Sequence, residues 1–399
     1  RFIERFGDRY SPLVLLFGIL IAIVPPLLFG ADWEDWLMRA TVFIVAAAPC
    51  ALVISIPITL VASLGTGARQ GVLIKGGMYV EELDKVEVVA MDKTGTITQG
   101  EPEVTDLIPL ENGQMNDKQM LAVAAGVEGY SEHPLARAVV RYAEEQAAVP
   151  AKISGFQALA GAGAQADWNG QRVYIGSPAL FQDQLQVGLD GLTGEIDRLQ
   201  APGKTVVVLG DDSTAYGLIA IRDNIRPNAR QAIEDLHKAG IKTVVMLTGD
   251  NERTAQAIAK EAGVDKVYAN LKPEDKVTRV HELAEKYGHV AMVGDGVNDA
   301  PAMAEATVGV AMGAAGTDVA LETADVALMA DDLEKLVYAL DLAQRNQRIV
   351  RQNLVLSAIV ISILSLGAIA GALTLPAAVL GHEISEFIVL GNGLRMLRT

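Results

Sequence analysis

The sequence predicts an α/β catalytic region carried by a helical membrane domain, and three observations predict it. Four apolar stretches lie at the two ends of the 399-residue chain. The middle alternates short β-branched runs with helical patterns, and three of those runs end in turns that carry aspartate. Half of the residues are hydrophobic but only 5% are aromatic, an apolar balance that fits a chain with bilayer-embedded segments. Acidic residues (49) outnumber basic ones (33), for a net charge of −16. That excludes nucleic acid as the main partner, because phosphate contacts demand clustered Lys and Arg. One cysteine, Cys50, rules out a disulfide scaffold within the chain. The start at Arg1, with no Met and no signal-peptide pattern, leads us to expect a piece of something longer.

The first apolar stretch, Leu13 to Gly30, carries no charge and contains Pro25 and Pro26; the second runs uncharged from Thr41 to Ala68 with Pro49 and Pro57. The third follows Arg351 to about Leu373, and after Leu375-Pro376 the fourth covers Ala377 to Leu394. Each is near the ~20 residues that cross a ~30 Å hydrocarbon core. Four spans are therefore expected, at about 13–30, 41–65, 353–373 and 377–395. Arg1, Arg5 and Arg9 precede the first, Arg69 and Lys75 follow the second, Arg345, Arg348 and Arg351 precede the third, and Arg395 and Arg398 end the fourth. The first connection is acidic apart from Arg39, and the second has no Lys or Arg. By the positive-inside rule the middle region and both termini are expected in the cytoplasm, in a multi-pass protein of the cell membrane.

In the middle, Val86 to Met91, Lys242 to Leu247 and His289 to Val293 read as buried parallel strands. Ligands bind beyond the carboxyl ends of such strands, so the turns that follow are expected to converge. They are Asp92-Lys93-Thr94-Gly95-Thr96, Thr248-Gly249-Asp250 and Gly294-Asp295-Gly296-Val297-Asn298-Asp299. A carboxylate at a strand end can accept a phosphoryl group, and that chemistry needs a divalent cation and charge-neutralising donors. Asp295 and Asp299 suit Mg²⁺, a hard ion with oxygen ligands. Thr248 and the Gly249 amide suit phosphoryl oxygens, and Lys276 can supply a fixed positive charge.

These three motifs, in this order and between membrane helices, resemble the P-type ATPases over nearly the whole chain. The resemblance implies a haloacid-dehalogenase-like phosphorylation domain formed by 71–103 and 222–350, with an α+β nucleotide-binding domain inserted at 104–221. Two transmembrane helices would lie in 1–70 and two in 351–399. It also implies that Asp92 forms the aspartyl-phosphate and that Asp295 holds Mg²⁺ with Asp92 and the Thr94 carbonyl. Thr248 and Lys276 would bind phosphate, Asn298 and Asp299 would complete the site, and Lys93, Gly249 and Asp250 would be catalytic through their motifs.

The insert contains Ser131-Glu132-His133-Pro134 and then Gly161-Ala162-Gly163. A histidine can stack on or hydrogen-bond to adenine, and glycines let backbone approach a triphosphate. The pair resembles the nucleotide-binding domain of heavy-metal-transporting P-type ATPases, which implies Glu128, His133, Gly161 and Gly163 as ATP-binding residues and Asp223 as the hinge of the insert. Thr193-Gly194-Glu195 spells the family's actuator motif but falls inside the nucleotide insert, so it is read as coincidence. The actuator domain and the earlier helices are expected to be missing from this chain.

Pro49 opens its helix, and Cys50 beside it offers a soft thiolate. In the fourth stretch His382, Ser385 and Glu386 share a helical face, with Glu383 about 100° away. A thiolate, an imidazole and one or two carboxylates, from Cys50, His382, Glu383 and Glu386, suit Zn²⁺, Cd²⁺ or Co²⁺ rather than K⁺ or Ca²⁺. The His-Glu pair resembles the Ser-Pro-Cys subgroup of these pumps, although Ala48 stands where that motif has serine. The expected function is ATP-driven export of Zn²⁺, Cd²⁺ or Co²⁺; the alternatives are a copper or other-ion pump, or phosphatase chemistry on the same fold.

Overall fold

The computed structural model describes residues 2–110, 115–159, 161–295, 299–313, 322–329 and 332–398. The chain divides into two compact units, Arg1–Asp84 with Tyr338–Thr399, and Lys85–Val337.

The first unit is helical. It contains α1 (Phe2–Phe29), α2 (Trp33–Ala46), α3 (Cys50–Arg69), a short strand β1 (Val72–Ile74) and α4 (Gly77–Leu83). The expected single helix at 41–65 is a correction: that stretch forms two helices, broken at Ala47–Pro49. Proline has no N–H to continue the α2 ladder, and it occupies the N-cap of α3. The break leaves carbonyls without helical partners; the Tyr10 hydroxyl, from α1, donates to the Ala47 carbonyl at 2.9 Å.

Two long helices return late in the chain, α12 (Glu334–Ile369) and α13 (Leu375–Gly393), so the third helix starts well before the expected 353. Its early turns are amphipathic rather than uniformly apolar and bury Ala339, Leu340, Leu342 and Ala343. Among the described residues two helices are long and apolar enough to cross a membrane, Arg9–Phe29 and Glu334–Ile369, and Val53–Arg69 is a shorter apolar helix. The break at Pro49 shortens the second stretch, and the polar trio His382, Glu383 and Glu386 interrupts the fourth.

α3 carries a row of small polar residues at helical spacing, Ser55, Thr59, Ser63 and Thr66, all buried. Ser63 donates to Asn346 Oδ1 at 2.7 Å, and Asn353 Nδ2 donates to Ser55 Oγ at 2.6 Å and to the Val389 carbonyl at 3.3 Å. Asn392 donates to Asn353 at 2.8 Å. Small residues let the helices approach closely, and these bonds satisfy the buried polar groups.

The second unit is built on two sheets. The first runs β13 (Val326–Leu328), β12 (Val308–Ala311), β11 (Val290–Gly294), β2 (Val88–Asp92), β9 (Thr243–Leu247) and β10 (Lys266–Tyr268), all parallel. β2, β9 and β11 read as continuous apolar runs because they are covered on both faces. Around them run α8 (Ala229–Lys238), α9 (Glu252–Ala262), α10 (Pro273–Tyr287) and α11 (Ala300–Glu305). Val88, Val245, Leu247, Val280 and Met292 share one core on this sheet.

The inserted sheet is antiparallel, ordered β3 (Glu103–Pro109), β8 (Ala215–Arg222), β7 (Thr205–Gly210), β6 (Gln171–Gly176), β5 (Gly163–Trp168) and β4 (Ser154–Leu159). Helices α5 (Asp117–Glu128) and α6 (Pro134–Glu145) pack with Val173, Ile175 and Ile219 into one core. A second cluster, around Phe181, Leu189 and Leu218, takes in α7 (Thr193–Gln200). Thr193-Gly194-Glu195 opens α7, and Glu195 pairs with Arg198 on that helix at 2.6 Å.

Candidate active site and metal centre

The three expected turns meet because β2 lies between β11 and β9 in one parallel sheet. Asp92 ends β2 and is buried. Its carboxylate accepts from the Thr94 amide at 2.9 Å and from Lys276 Nζ at 2.6 Å. Gly95 turns the chain just after it with φ +73°, a left-handed conformation that a side chain disfavours. Lys276, one turn into α10, also reaches Asp299 Oδ1 at 2.8 Å.

Burial and the adjacent Asp299 carboxylate push the Asp92 carboxyl above its usual range, against the pull of Lys276 and Lys93. Burial raises Asp299 as well. Asp299 Oδ2 is buried without a hydrogen-bond partner. Two such carboxylates share one ammonium, and Asp295 follows β11 beside the Gly95 turn. The donors are all oxygen and carry excess negative charge, which fits a hard divalent cation. Asn298 lies outside the described residues.

Several pairings that support this site were not anticipated from the sequence, although Asp223 was expected as the hinge of the insert. Lys93 Nζ pairs with Asp250 at 2.8 Å, tying the first motif to the second. Burial disfavours the Lys93 ammonium, but Asp250, Asp223 and Asp92 outweigh it and raise its pKa. Arg226 donates to the Thr96 carbonyl at 2.9 Å and to the Gly95 carbonyl at 2.8 Å, clamping the turn after Asp92. Asp223 accepts from the Gly100 amide at 3.1 Å and lies 2.5 Å from the Thr98 hydroxyl, fastening the chain where it re-enters the first sheet. On the second motif the Asp250 amide donates to Thr248 Oγ1 at 3.1 Å, and Gly249 sits close to the Leu271 carbonyl.

In the insert, Glu128 ends α5, and burial pushes its carboxyl up to about 7. His133 caps α6, with Nδ1 accepting from the Leu135 amide at 3.2 Å. Desolvation holds its pKa below the usual histidine value, with Asp250 raising it and Lys93 lowering it. Gly161 has φ +72° and open space beside it. A side chain at Gly163 would meet the Ile175 carbonyl 2.1 Å away, so glycine there is required by the pairing of β5 with β6. The sequence also gave no sign of the ring stacking of Tyr130 on Phe156, 5.7 Å between centroids, two residues past Glu128.

In the helical unit, ligand atoms of Cys50, His382 and Glu386 lie within 4.8 Å of one another. Cys50 opens α3 immediately after the break, which brings it level with the middle of α13. His382 is buried, with Nε2 3.3 Å from Glu386 and neither ring nitrogen in a hydrogen bond of good geometry. Ser385 donates to the His382 carbonyl at 2.6 Å instead of entering the group. Glu383 is exposed and stands outside it. A thiolate, an imidazole and a carboxylate together suit a borderline divalent metal.

The profile of the haloacid dehalogenase-like hydrolase family matches residues 86–307. A probable cadmium-transporting ATPase of Alkalihalophilus pseudofirmus is 43% identical over 400 residues, covering 100% of this chain and 55% of the relative. The crystal structure of a zinc-transporting PIB-type ATPase in its E2.Pi state matches with TM-score 0.79 and 41% identity, over 100% of this chain and 64% of that one. The catalytic domain of a CPx-ATPase matches with TM-score 0.53 and 30% identity, over 70% of this chain and 98% of that one. The chain thus spans about half the length of the curated relative. With the aspartate cluster on one sheet and the soft-ligand cluster between helices, the chain belongs to the haloacid dehalogenase-like hydrolases and, within them, to the heavy-metal P-type ATPases of CPx type.

Proposed function

We propose that the intact protein is an ATP-driven exporter of Zn²⁺ or Cd²⁺ that works through an aspartyl-phosphate at Asp92. The observation that carries the choice of cargo is the approach of Cys50, His382 and Glu386 to within 4.8 Å. One sulfur, one nitrogen and one oxygen donor favour a borderline ion over Cu⁺, which prefers more sulfur, and over K⁺, which prefers oxygen alone. Co²⁺ takes the same donors and is the second reading.

ATP would be held by the insert through Glu128, His133 and the backbone at Gly161 and Gly163. A carboxylate oxygen of Asp92 attacks the γ-phosphorus; an acyl-phosphate bond forms, the bond to the bridging oxygen breaks, and ADP leaves. Lys276 and Thr248 bind the oxygens of the moving group, and the Gly249 amide adds a donor. Mg²⁺ would be held by Asp92, the Thr94 carbonyl and Asp295 beside Asp299, and when bound it neutralises charge developing on the phosphoryl group. Lys93 and Asp250 keep the first two motifs in register. Removal of the phosphate is assigned to an actuator domain outside this chain, since Thr193-Gly194-Glu195 belongs to α7 of the insert.

Four spans in the cell membrane, with the second unit in the cytoplasm, complete the reading. Its test is ATP-driven uptake into inverted membrane vesicles that carry the intact protein, with Zn²⁺, Cd²⁺, Co²⁺, Cu⁺ and K⁺ offered separately. Uptake of Zn²⁺ or Cd²⁺ that is lost in Cys50→Ala and His382→Ala supports it. Uptake of Cu⁺ or K⁺ alone, or uptake indifferent to both substitutions, contradicts it.

A further inference from the structure

Along the outer stripe of α12, a groove of about 680 Å³ changes character along its length. Its upper end is lined by Arg348 and Arg351 with the amides of Gln347 and Gln352, and its lower end by Val355, Leu356 and Ile359. Arg348 and Arg351 are exposed and make neither an ion pair nor a hydrogen bond among the described residues, whereas neighbouring Arg345 bonds the Arg398 carbonyl. Val355 and Ile359 are 60% and 51% exposed. From Arg351 to Ile359 the helix rises about 12 Å, roughly the step from a phosphate layer to the upper acyl chains. Asp84 also lines the groove, so the two guanidiniums leave it with a surplus of one positive charge.

We propose that this groove is a binding site for one anionic phospholipid. The headgroup phosphodiester sits on Arg348 and Arg351, and an acyl chain lies along Val355, Leu356 and Ile359. The surplus positive charge matches a phosphodiester that carries no ammonium of its own, which favours phosphatidylglycerol over phosphatidylcholine. Both ends of the groove are needed for this assignment. Two free guanidiniums alone would bind any phosphate, and an apolar stripe alone would face any lipid tail. The site is separate from the Asp92 cluster and from the Cys50, His382 and Glu386 group, and it depends on α12 spanning a bilayer but not on the identity of the pumped ion.

The test is native mass spectrometry of the intact protein released from nanodiscs of mixed phosphatidylglycerol and phosphatidylcholine. Wild type is expected to retain phosphatidylglycerol preferentially, and Arg348→Gln/Arg351→Gln to lose that preference by about tenfold or more. Excess inorganic phosphate should not displace the lipid. Separately, a tryptophan in Val355→Trp should be quenched more by brominated phosphatidylglycerol than by brominated phosphatidylcholine. Equal retention by wild type and double variant overturns the proposal. So does displacement by inorganic phosphate, which would mark a soluble-anion site. Absence of quenching by either lipid, meaning that protein rather than lipid covers the stripe, overturns it too.

Discussion

Lys276 stands between two buried carboxylates, bonding Asp92 at 2.6 Å and Asp299 at 2.8 Å. Without it, the carboxylates face each other across a low-dielectric site and lose the main charge that balances them, leaving the smaller pull of Lys93 on Asp92 until a cation binds. Lys276→Ala should therefore lower the phosphorylation rate by about a hundredfold or more, read as the rate of label incorporation from ATP. Glu128 gives a pH signature. Its carboxyl is raised to about 7 in the folded protein by burial, so between its unfolded value and that point the folded state binds more protons than the unfolded one. Stability should fall as pH rises through that window, by up to about 3 kcal/mol. Glu128→Gln should flatten the fall, as followed by Tm against pH. At this scale the convergence of the three turns was legible, because Asp92, Thr248 and Asp295 sit in turns whose residue types serve little else. Arg226 and the Lys93–Asp250 pair were not, because their partners are distant in sequence and an isolated Arg or Lys carries no mark of what it will meet.

The elements show where local pattern sufficed. The runs that became β2, β9 and β11 were readable because strands covered on both faces admit only apolar residues, and their parallel pairing then brings the turns together. The second apolar stretch misled in one respect. Hydropathy sees a single run from Thr41 to Ala68, but the chain stops at Ala46 and restarts at Cys50. Pro49 signals a weakness, but the Tyr10 hydroxyl that takes up the Ala47 carbonyl at the break comes from another helix, which no local window contains. The beginning of α12 was missed for a related reason: its early turns bury one face only, and a search for uniform apolarity passes over them. In the insert, Gly163→Ala forces a methyl carbon to within 2.1 Å of the Ile175 carbonyl. We expect a cost of about 1–3 kcal/mol, with β5 and β6 parting locally, measurable as faster amide exchange at Ala164 and Ile175. Gly161→Ala, with open space around it, should cost less stability and act mainly on nucleotide affinity.

For the whole molecule, the phosphorylation cluster lies in the unit Lys85–Val337 and the soft-ligand cluster in the unit built from the two ends of the chain. The proposed pump requires that binding in one change chemistry in the other, which is a coupling free energy between two sites. The most direct measurement is acid-stable phosphoenzyme formed from labelled ATP by the intact protein, with Asp92→Asn as the blank. Labelling should appear on addition of Zn²⁺ or Cd²⁺, and the metal response should vanish in Cys50→Ala and His382→Ala while Asp92 remains intact. Labelling that ignores these metals, or that follows K⁺ with Cys50 dispensable, would contradict the account and leave only the phosphoryl chemistry of Asp92.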